Sequence, residues 1–381
     1  MRILFVNSHG ADPAYGGAER YVGDLAAGMR ERGHESVILS AFPPRADAGV
    51  PTRVLHSADW RESSTRRIAN HVNDVIAAPS AKLESAVTEL RPDVVHSNNL
   101  PGIGTGIWEV ARRNGRPLVH TLHDYYLLCP RTTLTRRDGT PCRPSPMLCG
   151  TRTRRLLRWS KAVDQVVAGS DHLLGAHSEM FAAASRRVIR LPLAPLAGGP
   201  APAPERLATI GFIGTLAATK GVRLLLEAAA ALAALGVRVR IAGSGPLEAE
   251  VAAAPVDYLG RVAGRAKEEF LASCDVGMVP SLWGEPSGPP YVVQEWLAAG
   301  RPVLATRRGA LAEVVDEPGV SGFEPRVDEL VEAIKGMRDD WEATVRSVPV
   351  VDGDSGLRAW LDEYEAIYES RLAARRVRTG A

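Results

Sequence analysis

The stretch Pro280-Ser-Leu-Trp-Gly-Glu-Pro-Ser-Gly-Pro-Pro-Tyr-Val-Val-Gln-Glu-Trp-Leu-Ala-Ala-Gly-Arg-Pro-Val-Leu-Ala305 decides the fold of this chain. An apolar run ends at Pro280, a loop rich in glycine and proline follows, a helical pattern runs to Gly300, and a new apolar run begins at Val303. A strand, a helix and a second strand in this order are typical of a parallel α/β sheet. Because ligands of such sheets bind outside the carboxyl ends of the strands, the loop before the helix is a candidate binding site.

The same alternation of short apolar runs and helical patterns extends along the whole chain. Several runs are apolar on both faces, as parallel strands covered by helices are. The predicted strands of the first half are Ile3–Val6, Val37–Leu39, Val94–His96, Leu118–Leu122, Val166–Val167 and Val188–Leu191. Those of the second half are Ile210–Ile213, Val237–Ala242, Tyr258–Leu259, Val276–Pro280 and Val303–Ala305. The pattern predicts two Rossmann-like α/β domains, each with a doubly wound parallel sheet.

A segment rich in proline and glycine, Leu191–Pro204, separates the two halves. Its five prolines and two glycines can neither continue a helix nor lie inside a sheet. The sequence therefore predicts an N-terminal domain over 1–195 and a C-terminal domain over 205–350, facing each other across a central cleft. The helical period of 355–381 predicts a last helix that packs back on the first domain.

Composition and charge are typical of a soluble globular protein. The length of 381 residues favours two domains, and 45% hydrophobic with 24% charged residues is an ordinary globular balance. A net charge of +2 gives no reason to expect a nucleic-acid partner. The first apolar run is too short for a signal peptide, and no window approaches about 18 apolar residues. We therefore expect a cytoplasmic protein whose four cysteines are reduced.

Glycine and polar residues follow strands of the first half. Gly16 and Gly17 stand at the start of the first helix, where amides and the helix dipole favour an anion such as phosphate; a plain strand-to-helix turn explains them equally well. His123 and Asp124 follow the strand Leu118–Leu122, so we expect them at the carboxyl end of the first sheet. A histidine there can donate to a substrate hydroxyl. His120 is expected to be a strand residue with a satisfied ring.

Charged residues and a further glycine turn follow strands of the second half. Lys220 lies in a turn where an ammonium can pair with phosphate oxygens, although a lone turn lysine is commonly just solvated. Glu285 lies in the loop and Glu295 in the helix of the stretch quoted above. Carboxylates there can accept hydrogen bonds from sugar hydroxyls; the alternative interpretation makes both surface residues. Gly243 belongs to the turn Gly243-Ser-Gly-Pro246, which follows the predicted strand Val237–Ala242.

Taken in chain order, these motifs resemble glycosyltransferase family 4. They are Gly16-Gly-Ala-Glu-Arg20, Thr121-Leu-His-Asp124, Gly211…Lys220-Gly221, Gly243-Ser-Gly-Pro246 and Glu285-Pro…Glu295-Trp-Leu-Ala-Ala-Gly-Arg-Pro-Val303. The resemblance extends from Arg2 to about Phe323. It implies a GT-B fold and transfer of a sugar, with retention of anomeric configuration, from a nucleotide-diphosphate donor to a hydroxyl acceptor. A UDP- or GDP-sugar is the expected donor, with no cofactor and no metal. Secondary metabolites, envelope lipids and polysaccharides of bacteria are the acceptors to consider.

The resemblance also implies a role for each matching residue. His123 matches a contact to the transferred sugar, and Lys220 matches the contact to the diphosphate. Glu285 matches the glutamate that orders the sugar hydroxyls, Glu295 the one that holds the ribose, and Val262 a backbone contact to the base. The expected catalytic residues are His123, Asp124 and Glu285. The expected donor-binding residues are Gly16, Gly17, Thr215, Lys220, Gly243, Val262, Gly288 and Glu295.

The chain departs from the family pattern at three places. Thr215 stands where a basic residue is common, and Arg223 or Arg261 is the candidate to replace that cation. Nine residues, instead of seven, separate the two glutamates. Pro289 and Pro290 lack amide protons. Two alternative functions therefore stay open: a GT-B epimerase of sugar nucleotides, and a non-catalytic sugar-nucleotide-binding partner of another transferase.

Two further patterns leave alternatives open. Cys129, Cys142 and Cys149 share one loop, but they lack a paired Cys-x-x-Cys, which favours a thiol-containing acceptor loop over a zinc site. Arginines, leucines and a tryptophan crowd residues 152–161. A basic amphipathic helix there can rest on an anionic membrane, grip an acidic acceptor or simply present a solvated face.

Overall fold

The computed structural model describes residues 1–12, 15–44, 49–56, 76, 78–136, 140–142, 147–351 and 353–379. The strands are β1 Arg2–Asn7, β2 Glu35–Ser40, β3 Thr52–Val54, β4 Val94–Ser97, β5 Leu118–Leu122, β6 Gln165–Ala168, β7 Ser185–Val188, β8 Thr209–Ile213, β9 Arg238–Ala242, β10 Asp257–Tyr258, β11 Val276–Val279, β12 Val303–Thr306 and β13 Val320–Phe323. The α-helices are α1 Gly17–Glu31, α2 Ala81–Leu90, α3 Gly106–Arg113, α4 Leu148–Leu156, α5 Asp171–Ala176, α6 Val222–Ala234, α7 Glu248–Ala252, α8 Arg265–Ala272, α9 Tyr291–Ala298, α10 Val327–Asp339, α11 Trp341–Arg346 and α12 Ser355–Thr379. Short 3₁₀ helices span Leu157–Ala162, Ala218–Lys220 and Gly309–Glu313.

The described strands form two parallel sheets, one in each half of the chain. The first has the order β3-β2-β1-β4-β5-β6-β7, and the second has the order β10-β9-β8-β11-β12-β13. In each sheet the chain winds outward from its first strand in one direction, then returns and winds outward in the other. This is the doubly wound order, and it creates a switch point between β1 and β4 and between β8 and β11. The predicted pair of doubly wound parallel sheets is confirmed.

The two sheets belong to two compact units. The first unit comprises Met1–Thr132, Pro144–Ile189 and Ala359–Ala381, and the second comprises Thr133–Arg143 and Arg190–Arg358. The proline-rich segment belongs to the second unit, on which it packs. There the amide of Ala201 donates to the carbonyl of Ala299 over 3.1 Å, and Arg301 Nη1 donates to the carbonyl of Pro202 over 2.7 Å. A proline cannot donate, but its carbonyl still accepts, which anchors this segment without a strand.

The C-terminal helix α12 belongs to the first unit from Ala359 onward. Arg32, next to the end of α1, lies 2.7 Å from both Asp362 and Glu365, and His34 Nε2 lies 2.8 Å from the second carboxylate oxygen of Glu365. Side chains at helical spacing form the buried face of α12. They are Trp360, Leu361, Tyr364, Ile367 and Tyr368. Burial of this apolar and aromatic stripe holds the helix on the first unit.

Edge strands are where prediction and structure differ. β7 spans Ser185–Val188 instead of the predicted Val188–Leu191, because its first three residues are exposed and polar and show no apolar period. β3 was not predicted, since its three residues are only half-buried or exposed. β13 was not predicted either; Ser321 and Gly322 interrupt its apolar pattern. No described helix is long and apolar enough to cross a membrane.

Candidate active site

The switch point of the second sheet brings together the loops that follow β8 and β11. Lys220 ends the 3₁₀ helix after β8, and Gly221 follows in the left-handed region with φ of 72°. A Cβ at Gly221 would lie 1.8 Å from the carbonyl oxygen of Pro280, the first residue after β11. Only glycine therefore allows these two loops to approach so closely. The close approach sets Lys220 beside the loop that carries Glu285.

Glu285 and Lys220 form an ion pair in this loop cluster. Glu285 is buried, and its Oε1 accepts from Lys220 Nζ over 2.6 Å, from Ser281 Oγ over 2.6 Å and from Trp283 Nε1 over 2.8 Å. The Lys220 ammonium also lies 5.0 Å from the centroid of the Trp283 ring. The side chain of Lys220 is 31% exposed to solvent, whereas that of Glu285 is 7% exposed. The pair is thus a fixed carboxylate with a cation that solvent, or an anionic ligand, can reach.

Glu295 lies on the buried side of α9, and the packing of that helix explains its position. Trp296 covers two strand glycines: a Cβ would lie 2.2 Å from the Trp296 ring at Gly277 and 2.7 Å from it at Gly211. Without side chains there, α9 lies directly on the sheet. The side chain of Glu295 is only 10% exposed, and its Oε1 accepts from Lys267 Nζ over 2.5 Å.

Sequence reasoning missed Lys267, which stands in a charged run of α8. That run is typical of a solvated helix face, and the partner Glu295 is 28 residues further along the chain. A weak signal was available, because a buried carboxylate requires a nearby cation or donor. The burial of Glu295 itself, however, is decided only by the packing of α9.

The remaining predicted donor residues lie in neighbouring turns of the second unit. Thr215 is exposed directly after β8, and Val262 is half-buried against the core beside α9. At Gly243 a Cβ would lie 1.9 Å from the Gly214 carbonyl oxygen, and at Gly288 it would lie 2.5 Å from a backbone carbonyl oxygen. Both glycines thus permit close backbone contacts between turns.

Arg223 and Arg261 are the two candidates for the cation that is missing at Thr215, and they lie in different environments. Arg223 is engaged with the Glu250 carboxylate, with nitrogen–oxygen distances of 3.1–3.2 Å. Arg261 is exposed in the turn before α8. Lys220 and Lys267 are therefore the cations that stand next to the predicted donor glutamates.

In the first unit, His123 follows β5 and contacts Asn98, which follows β4 at the switch point. Its Nε2 lies 2.9 Å from Asn98 Oδ1, while Asn98 Nδ2 donates to the carbonyl of His96 over 3.2 Å. Because the amide nitrogen is used there, Oδ1 is the acceptor that faces His123, and Nε2 carries the proton. Burial lowers the pKa of His123 to about 3, so the ring is neutral near pH 7. Its Nδ1 lone pair is then an acceptor for a hydroxyl.

Asp124 has the opposite electrostatic character. Burial raises its pKa to about 7, and the charge of Glu19 adds to this effect. The amide of Tyr126, which donates to Asp124 Oδ1 over 2.7 Å, and the charge of Arg152 act in the other direction. A carboxyl that titrates near neutrality can both take up and release a proton under physiological conditions.

Gly16 and Gly17 stand at the start of α1, as predicted, but a carboxylate stands there as well. Glu19 in the first turn is buried, and a Cβ at Gly16 would lie 3.3 Å from Glu19 Oε2. Its Oε1 lies 4.0 Å from His9 Nδ1. An anion at this helix start would therefore meet a negative charge, which favours a neutral hydroxylated group over a phosphate.

The predicted basic segment 152–161 is not one continuous helix. α4 ends at Leu156, and a 3₁₀ helix follows. Arg152 is buried: its Nη1 donates to the carbonyl of Tyr126 over 2.7 Å, and its guanidinium lies 4.8 Å from the centroid of that ring. Arg152 thus anchors the loop after β5 and is not available to a membrane. The cations that remain exposed in this segment are Arg154, Arg155, Arg158 and Lys161.

The cysteines give no metal ligand set in the described residues. Cys129 is buried, Cys142 and Cys149 are half-buried, and all four cysteines are free thiols. Within the described ranges, no three side chains of histidine, cysteine, aspartate or glutamate are grouped as metal ligands.

Two family models together span most of the chain. Residues 15–192 match the model described as Glycosyltransferase Family 4, and residues 208–340 match the model described as Glycosyl transferases group 1. The chain is a family 4-type glycosyltransferase.

This glycosyltransferase has relatives along nearly its whole length. An uncharacterised 42.6 kDa protein of the cps region of Klebsiella pneumoniae is 28% identical over 339 residues, which cover 82% of this chain and 87% of the relative. The MMP alpha-(1→4)-mannosyltransferase of Mycolicibacterium hassiacum is 26% identical and covers 98% of this chain and 99% of the relative. Among solved structures, Anabaena Alr3699/HepE in complex with UDP and glucose has a TM-score of 0.63 at 19% identity, covering 100% of this chain and 98% of that chain. This structural similarity assigns the GT-B fold.

Proposed function

We propose that this glycosyltransferase takes a hexose from a UDP- or GDP-sugar and transfers it, with retention of configuration, to a hydroxyl acceptor. One observation carries the proposal: the ion pair of Lys220 with the buried Glu285 at the switch point of the second sheet. That is the place where doubly wound sheets bind nucleotides. The named activity of the mannosyltransferase relative supports a hexose as the transferred group.

The two charges suit the two parts of a nucleotide-sugar. An ammonium that is partly exposed can stabilise the negative charge that develops on a departing diphosphate. A buried carboxylate held by three donors can order the hydroxyls of the sugar. In this assignment Lys220 binds the diphosphate, Glu285 orients the sugar, and Glu295 with Lys267 holds the ribose.

For a retaining transfer, the state of Glu285 favours a front-side displacement over a double displacement. A double displacement needs a carboxylate nucleophile, whereas Oε1 of Glu285 already accepts three hydrogen bonds, one of them from an ammonium. Such a carboxylate is a weak nucleophile. In the front-side route the leaving diphosphate takes the acceptor proton, and the protein supplies position and charge stabilisation.

His123 and Asp124 complete the proposal in the first unit. The neutral imidazole of His123 offers Nδ1 to a hydroxyl of the sugar. The carboxyl of Asp124, with its pKa near 7, can accept a hydrogen bond from the acceptor hydroxyl and orient it, while the leaving diphosphate takes the proton. Both roles predict that activity depends on these side chains while nucleotide affinity does not.

A nucleotide screen tests the donor site. UDP, GDP, ADP and dTDP are compared by thermal shift and calorimetry, since a ligand that binds the native state raises its apparent stability. We expect UDP or GDP to bind, and Lys220→Ala to weaken that binding about 10- to 100-fold. Lys335→Ala, which removes an exposed lysine paired with Glu332, is the matched control and should leave the affinity unchanged. No affinity for any of the four nucleotides would end the proposal.

Product analysis tests the reaction. Proton NMR of the product made from an α-linked donor should show an α-glycoside; a β-glycoside would exclude retention. Incubation without acceptor should return the donor unchanged. Free nucleotide with an epimerised sugar would instead identify an epimerase. A protein that binds nucleotide-sugar but transfers nothing without a second protein would be the non-catalytic partner.

A further inference from the structure

The first unit contains a buried series of hydroxyl and imidazole groups that links its C-terminal helix to its first helix. Tyr368 OH lies 2.7 Å from His96 Nδ1, and His96 Nε2 lies 2.7 Å from Thr121 Oγ1. Thr121 Oγ1 lies 3.3 Å from Tyr364 OH, which is also hydrogen-bonded to Tyr21 OH. All five side chains are buried.

These groups depend on one another because none can rely on bulk water. A buried hydroxyl without a partner is costly, so each member keeps its neighbours in place. Burial holds the pKa of His96 well below its usual value, so its neutral ring donates through one nitrogen and accepts at the other. In either tautomer, the hydroxyl of Tyr364 joins Thr121 of β5 to Tyr21 of α1.

Tyr21 connects this series to the candidate active site. Its ring meets the ring of His123 edge-on, with centroids 5.0 Å apart and planes inclined by 74°. Two residues of α12, one helical turn apart, hold Tyr21. Trp360 packs edge-on against its ring at 4.9 Å, and Tyr364 binds its hydroxyl. The second anchor of His123 is Asn98.

We propose that Tyr364 of the C-terminal helix is a positioning residue for His123 and acts through Tyr21. The proposal rests on the proposed contact of His123 with the sugar. Without the Tyr364 hydroxyl, Tyr21 loses one of the hydrogen bonds that hold its ring, and the imidazole beside it can shift. A small displacement of a group that acts in the transition state lowers kcat more than it changes KM.

A double-mutant cycle on the full-length protein tests this link. Tyr364→Phe should lower kcat about tenfold and leave the donor KM within about twofold. Tyr21→Phe should do the same. The double variant should be no worse than either single variant, because both changes remove the same contact. Multiplied losses of about a hundredfold, or an unchanged kcat in Tyr364→Phe, would overturn the proposal.

A stability control separates positioning from folding. Ile367 lies on the same buried face of α12 but carries no hydroxyl. Ile367→Ala should lower Tm at least as much as Tyr364→Phe does, since it opens a cavity, yet leave kcat unchanged. Equal losses of kcat in the two variants would mean that activity follows the stability of the helix, and the proposal would fail.

A spectroscopic measurement decides the matter without activity. The imidazole resonance of His123, assigned by its loss in His123→Gln, should shift in Tyr364→Phe and stay in place in Ile367→Ala. An unmoved resonance in Tyr364→Phe would overturn the positioning role. If His123→Ala kept the parent kcat, the proposed role of His123 would fail, while the resonance would still show whether Tyr364 orients its ring.

Discussion

Two lysine–glutamate pairs dominate the charges of the candidate donor site. Lys220 holds Glu285, and Lys267 holds Glu295, at 2.6 and 2.5 Å. Each ammonium already has a carboxylate partner, so a diphosphate must compete with that carboxylate for it. In the proposed site the carboxylates would thus limit the affinity for a bare nucleotide.

Substitution of Glu285 should therefore have opposite effects on binding and on transfer. Glu285→Gln removes the charge that competes for Lys220, so UDP or GDP should bind about three- to tenfold more tightly. Transfer should fall at least about 100-fold, because the sugar loses its carboxylate. Calorimetry with the nucleoside diphosphate and a transfer assay measure the two effects.

Glu332→Gln is the control for net charge, since it makes the same change at an exposed lysine–glutamate pair, with Lys335. It should leave nucleotide affinity within about twofold. Weaker nucleotide binding in Glu285→Gln would contradict this expectation. It would show that the carboxylate holds Lys220 in position for the diphosphate and does not compete with it.

Removal of Lys267 should expose the dependence of Glu295 on its cation. Lys267→Ala leaves a largely buried carboxylate without its ammonium, which both misplaces it and adds repulsion toward a diphosphate. We expect nucleotide affinity to drop about tenfold in a calorimetric titration. Arg265→Ala on the same helix, which breaks only an exposed pair with Glu269, should have no such effect. An equal drop in both variants would assign the loss to α8 as a whole.

The position of helix α9 depends on two glycines of the sheet beneath it. Trp296 covers Gly277 of β11 and Gly211 of β8, which lets the helix approach the strands and buries Glu295. This packing decides where Glu295, the proposed ribose contact, lies. An added methyl group here would act on the site through the helix.

The variant Gly277→Ala should consequently lose stability and nucleotide binding together. Its Cβ would fall 2.2 Å from the Trp296 ring, and overpacking of this kind costs about 1–3 kcal/mol. We expect a lower Tm and weaker binding of the nucleotide, as α9 moves outward. Gly336→Ala in α10 meets no atom within 4 Å and should be neutral or stabilising by up to about 1 kcal/mol. An unchanged nucleotide affinity in Gly277→Ala would show that binding does not depend on the position of α9.

On the scale of the whole chain, burial lowers the pKa of four described histidines, all in the first unit, so that their rings are neutral near pH 7. Burial lowers the pKa of His96 well below 6.5, those of His120 and His123 to about 3, and that of His177 to about 4. In the unfolded chain these groups titrate near 6.5. Below that pH the unfolded chain binds more protons, so the free energy of unfolding falls as the pH falls. Asp124 opposes this with one group, since its folded pKa of about 7 lies above its unfolded value.

Urea unfolding of the full chain should therefore show acid sensitivity above the range of ordinary carboxylates. Three histidines remain after Asp124 is offset, and each contributes at most about 1.4 kcal/mol per pH unit. We expect a loss of more than about 1 kcal/mol per pH unit between pH 6 and 5. In His177→Phe the free energy of unfolding should depend less steeply on pH, because one titrating histidine is removed. A stability that does not change from pH 7 to 5 would contradict the burial of these rings.

The candidate site was only partly predictable from the sequence. Residues in local motifs were predicted, whereas contacts between residues far apart along the chain were not. Lys220 and Glu285 were predicted separately from their turns, but they are 65 residues apart, and nothing local predicts their ion pair. The sequence around Lys267 is typical of a solvated helix face, and only the packing of α9 brings Glu295 to it. Tyr21 and Tyr364, separated by 343 residues, are ordinary positions of two amphipathic helices.

The sequence by itself determined the alternation of strands and helices, the doubly wound order and the family. These depend on the period of apolar residues, on glycines in tight turns and on short motifs, all of which are local. Only the tertiary structure decided which charges pair, that the rings of His96 and His123 are neutral, and that α12 reaches the neighbourhood of His123 through Tyr21. Burial and pairing depend on which distant segments exclude water from one another, and no local pattern contains that information.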